Sequence, residues 1–437
     1  MASDPKPLII HNASQLLTLA GGPQRGHRLG KLGIIEDGAV SIAGGIILAV
    51  GKSKDILAQY PDADTLDARY KVVMPGFVDP HTHLVWAGDR AAEFEMRLEG
   101  KSYLEILEAG GGILSTVKAT RAAAEDDLIE QTCRRVWQAF KHGTTTAEVK
   151  TGYGLSFESE LKQLHVILAL DAQGPVELVS TFLAAHAVPP EYIDRPDDYV
   201  DQVCHKMLPT LKTWWQENAG GKPMPFVDVF CERGAFDLGQ SRRILEAAKA
   251  LGFPLKIHAD EFESLGGASL AAELGAASAD HLVKTSSEDI QALAQSGTVA
   301  VSLPGTPFGL NESEYTPARG IIEAHGLLSL ATDVNPGTSW CESMQFILAL
   351  ACRKLGLTPA QAIAAGTINA AAAIGRENTI GSLEPGKQAD LLVLGEEDYR
   401  HLGYRFGINL VACVIKKGRI YSVNGPAESL ESPNRDL

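Results

Sequence analysis

No stretch of the chain stays apolar for the roughly 18–20 positions that a membrane-spanning helix needs. The best candidate, residues 39–51 (AVSIAGGIILAVG), is short and broken by glycine. The N-terminus lacks a charged segment followed by an apolar core, so no signal peptide is expected. Cysteine is sparse: six residues (Cys133, Cys204, Cys231, Cys341, Cys352, Cys413) with no CxxC. In a chain of 437 residues that pattern reads as reduced thiols of a cytoplasmic protein. There is no basic excess either, with 39 Lys and Arg against 54 Asp and Glu and a net charge of −15. That argues against nucleic acid and anionic membrane as partners. A small anionic substrate remains open, because it needs only one or two local cations.

What is present is the composition of a globular protein, 45% hydrophobic and 21% charged, with 43 glycines for turns. The length suits a large barrel plus something smaller. Residues 1–74 are short apolar runs punctuated by Gly and Asp, such as 8–19 and 31–51, which read as strands and turns. Residues 375–437 share that texture in ADLLVLG (389–395) and LVACVIKKGRIYSVNG (410–425), so the two ends are expected to pair into one small sheet domain. Residues 75–374 alternate differently. Strand-like runs (144–154, 176–186, 226–232, 253–261, 278–283, 299–305, 327–333) are separated by Ala/Leu/Glu/Lys-rich helical stretches. This predicts parallel βα units, about eight of which close a TIM-like (β/α)8 barrel. Residues 189–224, polar and containing TWW, read as a helical excursion.

Polar residues able to hold a metal sit at the ends of these strands, the catalytic face of such a barrel. MPGFVDP is read as the first barrel strand and runs into His81-Thr82-His83. Side chains alternate along a strand, so both imidazoles project the same way. His258 ends another strand and Asp333 a late one. Three imidazoles and one carboxylate suit zinc or iron better than calcium or magnesium. Glu261, three residues past His258, is the leading general acid/base; a solvated loop carboxylate is the alternative, and the adjacent Asp260 is read as structural.

PGFVDPHTH resembles the first-strand motif of the amidohydrolase superfamily, and LEPGKQADLLVL resembles its returning C-terminal β-sandwich segment. DPHTHLVWAGDRAAEFEMRLEG (79–100), TTTAEVKTGYGL (144–155), TFLAAHAVP (181–189), KIHADEF (256–262), SADHL (278–282) and ATDVNPGT (331–338) carry a narrower likeness across nearly the whole chain. It is to the branch that opens an imidazolone ring bearing a propionate. The resemblance implies a composite β-sandwich from both termini, one Zn(2+) or Fe(2+/3+) per subunit, a homodimer, and hydrolysis of a cyclic-amide C–N bond in histidine degradation. It implies that Glu261 shuttles the proton and that His281 stands near the substrate carbonyl, polarising it or steering water. His281 as a fourth His ligand is the alternative, leaving Asp333 solely a base; Asp333 can also serve as ligand and base together.

It further implies that Arg90, Tyr153, His186, Asn335, Gly337 and Thr338 bind the ring and its carboxylate. A guanidinium offers the paired donors that a carboxylate accepts, although Arg90 can instead pair with Glu93 or Glu95. The turn at 335–338 is expected to present backbone N–H groups and a hydroxyl. Lys150 raises the idea of a carboxylated lysine bridging two metals, but it comes early in the barrel and a single metal is favoured. GGG (110–112) is read as a loop over the pocket, TWW (213–215) as helix packing, and PGTPFG (304–309) as a turn-rich loop. An aminohydrolase acting on a guanine- or cytosine-like ring would share the metal set; Arg90 discriminates, since a nucleobase has no carboxylate. The remaining alternative is an inert metal- or ligand-binding barrel.

Overall fold

The computed structural model describes residues 6–101, 105 and 110–423, so residues 1–5 and 424–437 of the expected terminal domain lie outside the described residues. The strands form two eight-stranded sheets. From the N-terminal side come β1 (Leu8–Leu17), β2 (Ile34–Ala43), β3 (Ile46–Lys52), β4 (Asp64–Asp67) and β5 (Val73–Pro75). Then β6 (Phe77–Asp79), β7 (Thr144–Lys150), β8 (Glu177–Ala185), β9 (Phe226–Cys231), β10 (Lys256–Ala259), β11 (Ser278–His281), β12 (Val299–Ser302) and β13 (Leu327–Leu330) run parallel, each beside its predecessor. β14 (Leu391–Leu394), β15 (Val411–Lys416) and β16 (Arg419–Ser422) are the last strands among the described residues.

Strands β6–β13 form the expected barrel with helices between them. It closes just beyond the strand ends, where Thr82 bridges Val334 in parallel register. The His83 N–H donates to Val334 O (2.9 Å) and the Asp333 N–H to His81 O (3.1 Å). Below them, buried Asp79 accepts from the Thr332 N–H (3.0 Å) and hydroxyl (2.6 Å). The second sheet unites the termini as expected: β14 pairs antiparallel with β5, which lies beside β1.

One expected element divides. MPGFVDP was read as a single barrel strand, but β5 belongs to the terminal sheet and β6 to the barrel. The chain changes sheets at Gly76, where a Cβ would lie 2.3 Å from Thr145 Oγ1. Residues 304–309 also differ, forming a short helix (Gly305–Gly309). Proline is a turn signal, but in a first helical turn its missing N–H costs nothing.

The helices follow their sequences. Glu125–Lys141 buries Leu128, Thr132, Arg135, Val136, Ala139 and Phe140 along one stripe, with three acidic residues in its first turn and Lys141 in its last. Asp237 with Gln240, and Thr358 with Gln361, form capping boxes. The excursion carries helices Pro196–Gln202 and Leu208–Asn218; Trp215 is buried and Trp214 stacks on His165. Among the described residues no helix is long and apolar enough to cross a membrane.

The sheets meet at an ionic junction. Lys416 Nζ lies 2.7 Å from both Glu177 on β8 and Asp390, and Lys417 lies 3.2 Å from Glu177. Burial pushes the Glu177 pKa up, but Lys416, Gln388 and Lys417 outweigh it and bring it from 4.5 down to about 2. A depressed carboxylate stabilises the fold above its unfolded pKa and loses that contribution as pH falls through the folded one. Stability should therefore drop between pH 4.5 and about 2. Glu177→Gln should remove a contribution of order 2 kcal/mol from that window, after allowance for solvent screening. Urea unfolding at stepped pH checks this; an unchanged pH slope in the variant would refute it.

Candidate active site

At the barrel's C-terminal face, His81 and His83 follow β6 on either side of Thr82, which bridges Val334. Thr82, pointing the other way, donates its hydroxyl to Glu148 O and pins the segment to β7. His258 comes from β10 and Asp333 from just past β13. Their donor atoms converge: Asp333 Oδ1 is 3.4 Å from His81 Nε2 and 3.6 Å from His83 Nε2, which is 3.4 Å from His258 Nε2. All four are buried. His81 Nε2 has no hydrogen-bond partner. An orphaned buried nitrogen facing other lone pairs is costly unless a cation fills the space, so this set fits a metal. His186 and His281 stand at its edge, since the ligand atoms of His83, His186 and His258, and of His81, His258 and His281, also lie within 4.8 Å of one another.

Beneath them lies an ionic layer. Asp280 Oδ2 is 2.6 Å from His81 Nδ1, and Asp228 Oδ2 is 3.0 Å from His258 Nδ1. Asp280 accepts the His81 N–H and Asp228 lies at ion-pair distance from His258, so each carboxylate leaves the opposite ring nitrogen free to ligate. Lys150 Nζ contacts Asp228 (2.7 Å), Glu148 (2.8 Å) and Asp280 (3.5 Å), and Lys256 Nζ contacts Glu148 (2.9 Å). Burial pushes the Lys150 pKa down, but Asp228, Glu148 and Asp280 more than reverse this and hold it above the ordinary value.

Above the cluster opens a cavity of about 520 Å³. His83, His258 and Asp333 form its floor, and Tyr153, His186 and Phe230 line a wall. Glu261 and His281 face each other, His281 Nδ1 lying 3.6 Å from Glu261 Oε2. Burial, then Asp333 and Glu232, raise the Glu261 pKa well above the carboxylate range. Burial raises Asp333 to about 6 against the bond donated by Thr306. Burial also disfavours charge on four of the imidazoles, with His186 lowered to about 3 and His81, His83 and His281 lowered too. His281 (φ 78°) and Asp333 (φ 52°) sit in the left-handed region, strain typical of functional strand ends.

Arg90 reaches the rim, and its Nε and Nη2 each lie 2.8 Å from Glu93 Oε2. Asn335 and Thr338 line the same cavity, whereas Gly337 lies behind Arg90, beside a smaller cavity of about 280 Å³. A Cβ at Gly337 would lie 2.2 Å from Arg90 Nη1. The turn does not present its N–H groups as expected: those of Gly337 (2.8 Å) and Thr338 (2.9 Å) donate to Asn335 Oδ1, because an Asn side chain readily caps its own turn. Gly112 lines the cavity as the loop reading expected, and Asp260 is structural, accepting from Thr285 Oγ1 (2.8 Å) and the Leu265 N–H (3.2 Å). The sequence reading missed Asp228, Asp280, Phe230 and Glu232. Asp228 and Glu232 were visible in FVDVFCE as polar residues in or just after an apolar strand, and Asp280 immediately precedes His281.

The sequence pattern of the amidohydrolase family matches residues 72–421. An imidazolonepropionase from Herpetosiphon aurantiacus is 52% identical over 416 residues, covering 95% of this chain and 97% of its own. One from Chloroflexus aggregans is 50% identical over 425 residues, covering 96% and 100%. The crystal structure of a Xanthomonas campestris adenosine deaminase with bound zinc shares the fold, with a TM-score of 0.68 at 19% identity over 95% of this chain and 93% of that one.

Proposed function

The chain belongs to the amidohydrolase family, and from that premise we infer that it opens 4-imidazolone-5-propanoate to N-formimidoyl-L-glutamate, the imidazolonepropionase reaction of histidine degradation. The observation that carries this reading is a single cavity with a convergent His/Asp cluster at its floor, Glu261 and His281 beside it and Arg90 at its rim. In the proposed assignment His81, His83, His258 and Asp333 hold one zinc or iron ion. Neutral imidazoles and a carboxylate suit either metal, and the zinc-bearing structural neighbour supports the first. When bound, the ion supplies a water acidic enough to attack near neutral pH and polarises the ring carbonyl.

The protein's own groups do the rest. Glu261 takes the proton released by the attacking water and delivers it to the ring nitrogen as the C–N bond breaks, since an unprotonated amide nitrogen is a poor leaving group. Its raised pKa suits a group that must hold and release that proton. Asp333, with Oδ2 engaged by Thr306, is fixed to ligate through Oδ1 and can share the proton. His281 donates to the carbonyl oxygen or orients the water. Arg90 and Thr338 take the propionate, and Tyr153, His186 and Phe230 close around the ring. Asn335 and Gly337 act by shaping the turn against Arg90. The same proposal has residues 1–74 and 375–437 as one composite domain around a catalytic barrel of 75–374. It also has a homodimer in the cytoplasm, a compartment that six free thiols suit.

Loss of imidazolone absorbance with metal-replete protein tests the reading directly; no turnover would sink the substrate assignment. Arg90→Ala should raise KM for the propionate substrate on the order of 10²-fold with little change in kcat, because a charged hydrogen-bonding partner of the tail is lost. Chelation should abolish turnover, and metal analysis should return one equivalent per chain on reconstitution with zinc or ferrous iron.

A further inference from the structure

Glu93 is on the helix Ala91–Leu98 and is buried, an unusual place for a carboxylate beside a site built for an anion. Its oxygens divide their work. Oε2 accepts from Arg90, and Oε1 accepts from the Gly112 N–H (3.0 Å) and lies 3.2 Å from the Ser115 hydroxyl, whose single hydrogen is shared with Gly112 O (2.8 Å). Gly112 and Ile113 line the cavity and lead into the helix Ile113–Ala122. Glu93 therefore ties the rim guanidinium to the segment that walls the pocket. On the other side, Gly337 leaves room for Arg90 Nη1, and Arg97 Nη2 donates to Gly337 O (3.1 Å), holding that turn in place.

As an electrostatic element Glu93 opposes anion binding. As a geometric one it fixes the guanidinium plane, and an ordered fork loses less entropy on taking a carboxylate. We propose that Glu93 is a positioning residue for the substrate's anionic tail, acting through Arg90 and coupling it to the wall at Gly112 and Ser115. This rests on the reading that Arg90 takes a carboxylate.

The test compares the propionate substrate with the same ring carrying a neutral propanamide tail. Glu93→Gln keeps the shape but turns an amide N–H₂ toward one of two sets of donors. It should raise KM for the acid about tenfold, the loss of one charged hydrogen bond. It should leave kcat and metal content within twofold and leave KM for the amide unmoved. In an Arg90→Ala background it should add nothing. Should Glu93→Gln fail to fold, Glu93→Asp, which withdraws the carboxylate from Nε, should give the same split. An Arg90→Ala protein with unchanged KM overturns the substrate reading and this inference with it. A large Arg90→Ala effect beside an unmoved Glu93 variant overturns the inference alone. So does a Glu93 effect that persists without Arg90, or one that falls on kcat.

Discussion

Glu261→Gln should lower kcat by about 10³-fold, a loss near 4 kcal/mol of transition-state stabilisation, while the protein stays folded, metal-loaded and able to bind substrate. The variant keeps the volume and one acceptor oxygen, so the wall opposite His281 is not rebuilt. What disappears is a group that can carry a proton between water and the ring nitrogen. Asp333→Asn cannot make the same point, since it would disturb the proposed metal set and the Thr306 contact together. Asp333 would remain in the Glu261 variant and should sustain a small residual rate. Single-turnover rates at saturating substrate, with metal content measured on the same sample, check the claim. Activity within tenfold of the unaltered protein would remove Glu261 from the proton path.

Legibility in the sequence followed the physics of each element. Barrel strands are buried on both faces, so they show as short apolar runs, and polar residues at their ends stand out; His81, His83, His258 and Asp333 were visible for that reason. The sheet shared by the termini was legible because both ends carry the same strand-and-turn texture. What failed depended on context. Whether MPGFVDP is one strand or two is decided at Gly76 by contact with Thr145, and Thr145 lies far along the chain. The inward use of Asn335 and the helix at Gly305–Gly309 were misread because Pro, Gly and Asn serve several local conformations. Asp228, Asp280 and Lys256 were passed over because an isolated charge in a strand gives no hint of its partner. Only the closed barrel brings β7, β9, β10 and β11 close enough for their charges to meet.

That meeting decides what Lys150 does. A carboxylated lysine needs a neutral amine to attack carbon dioxide, and the three carboxylates around Lys150 keep its ammonium protonated. The geometry therefore supports a structural cation between Asp228 and Asp280, which lie against Nδ1 of His258 and His81, beneath the proposed single-metal site. Lys150→Met fills the same space with an apolar chain and strands those carboxylates with Lys256 as the remaining cation, 2.9 Å from Glu148 and 3.9 Å from Asp280. Breaking one side of a buried ion cluster leaves uncompensated charge. Stability should fall by about 3–5 kcal/mol, and metal affinity by about 10–100-fold, because the imidazoles lose their fixed partners. Denaturant unfolding and competitive metal titration measure the two effects separately. The bridging alternative makes opposite demands: two metals per chain, dependence of the unaltered enzyme on bicarbonate, and rescue of Lys150→Ala by short carboxylic acids. Any of those results would replace the ammonium with a carbamate; a one-metal enzyme indifferent to bicarbonate leaves Lys150 as the charge on which the ligand geometry rests.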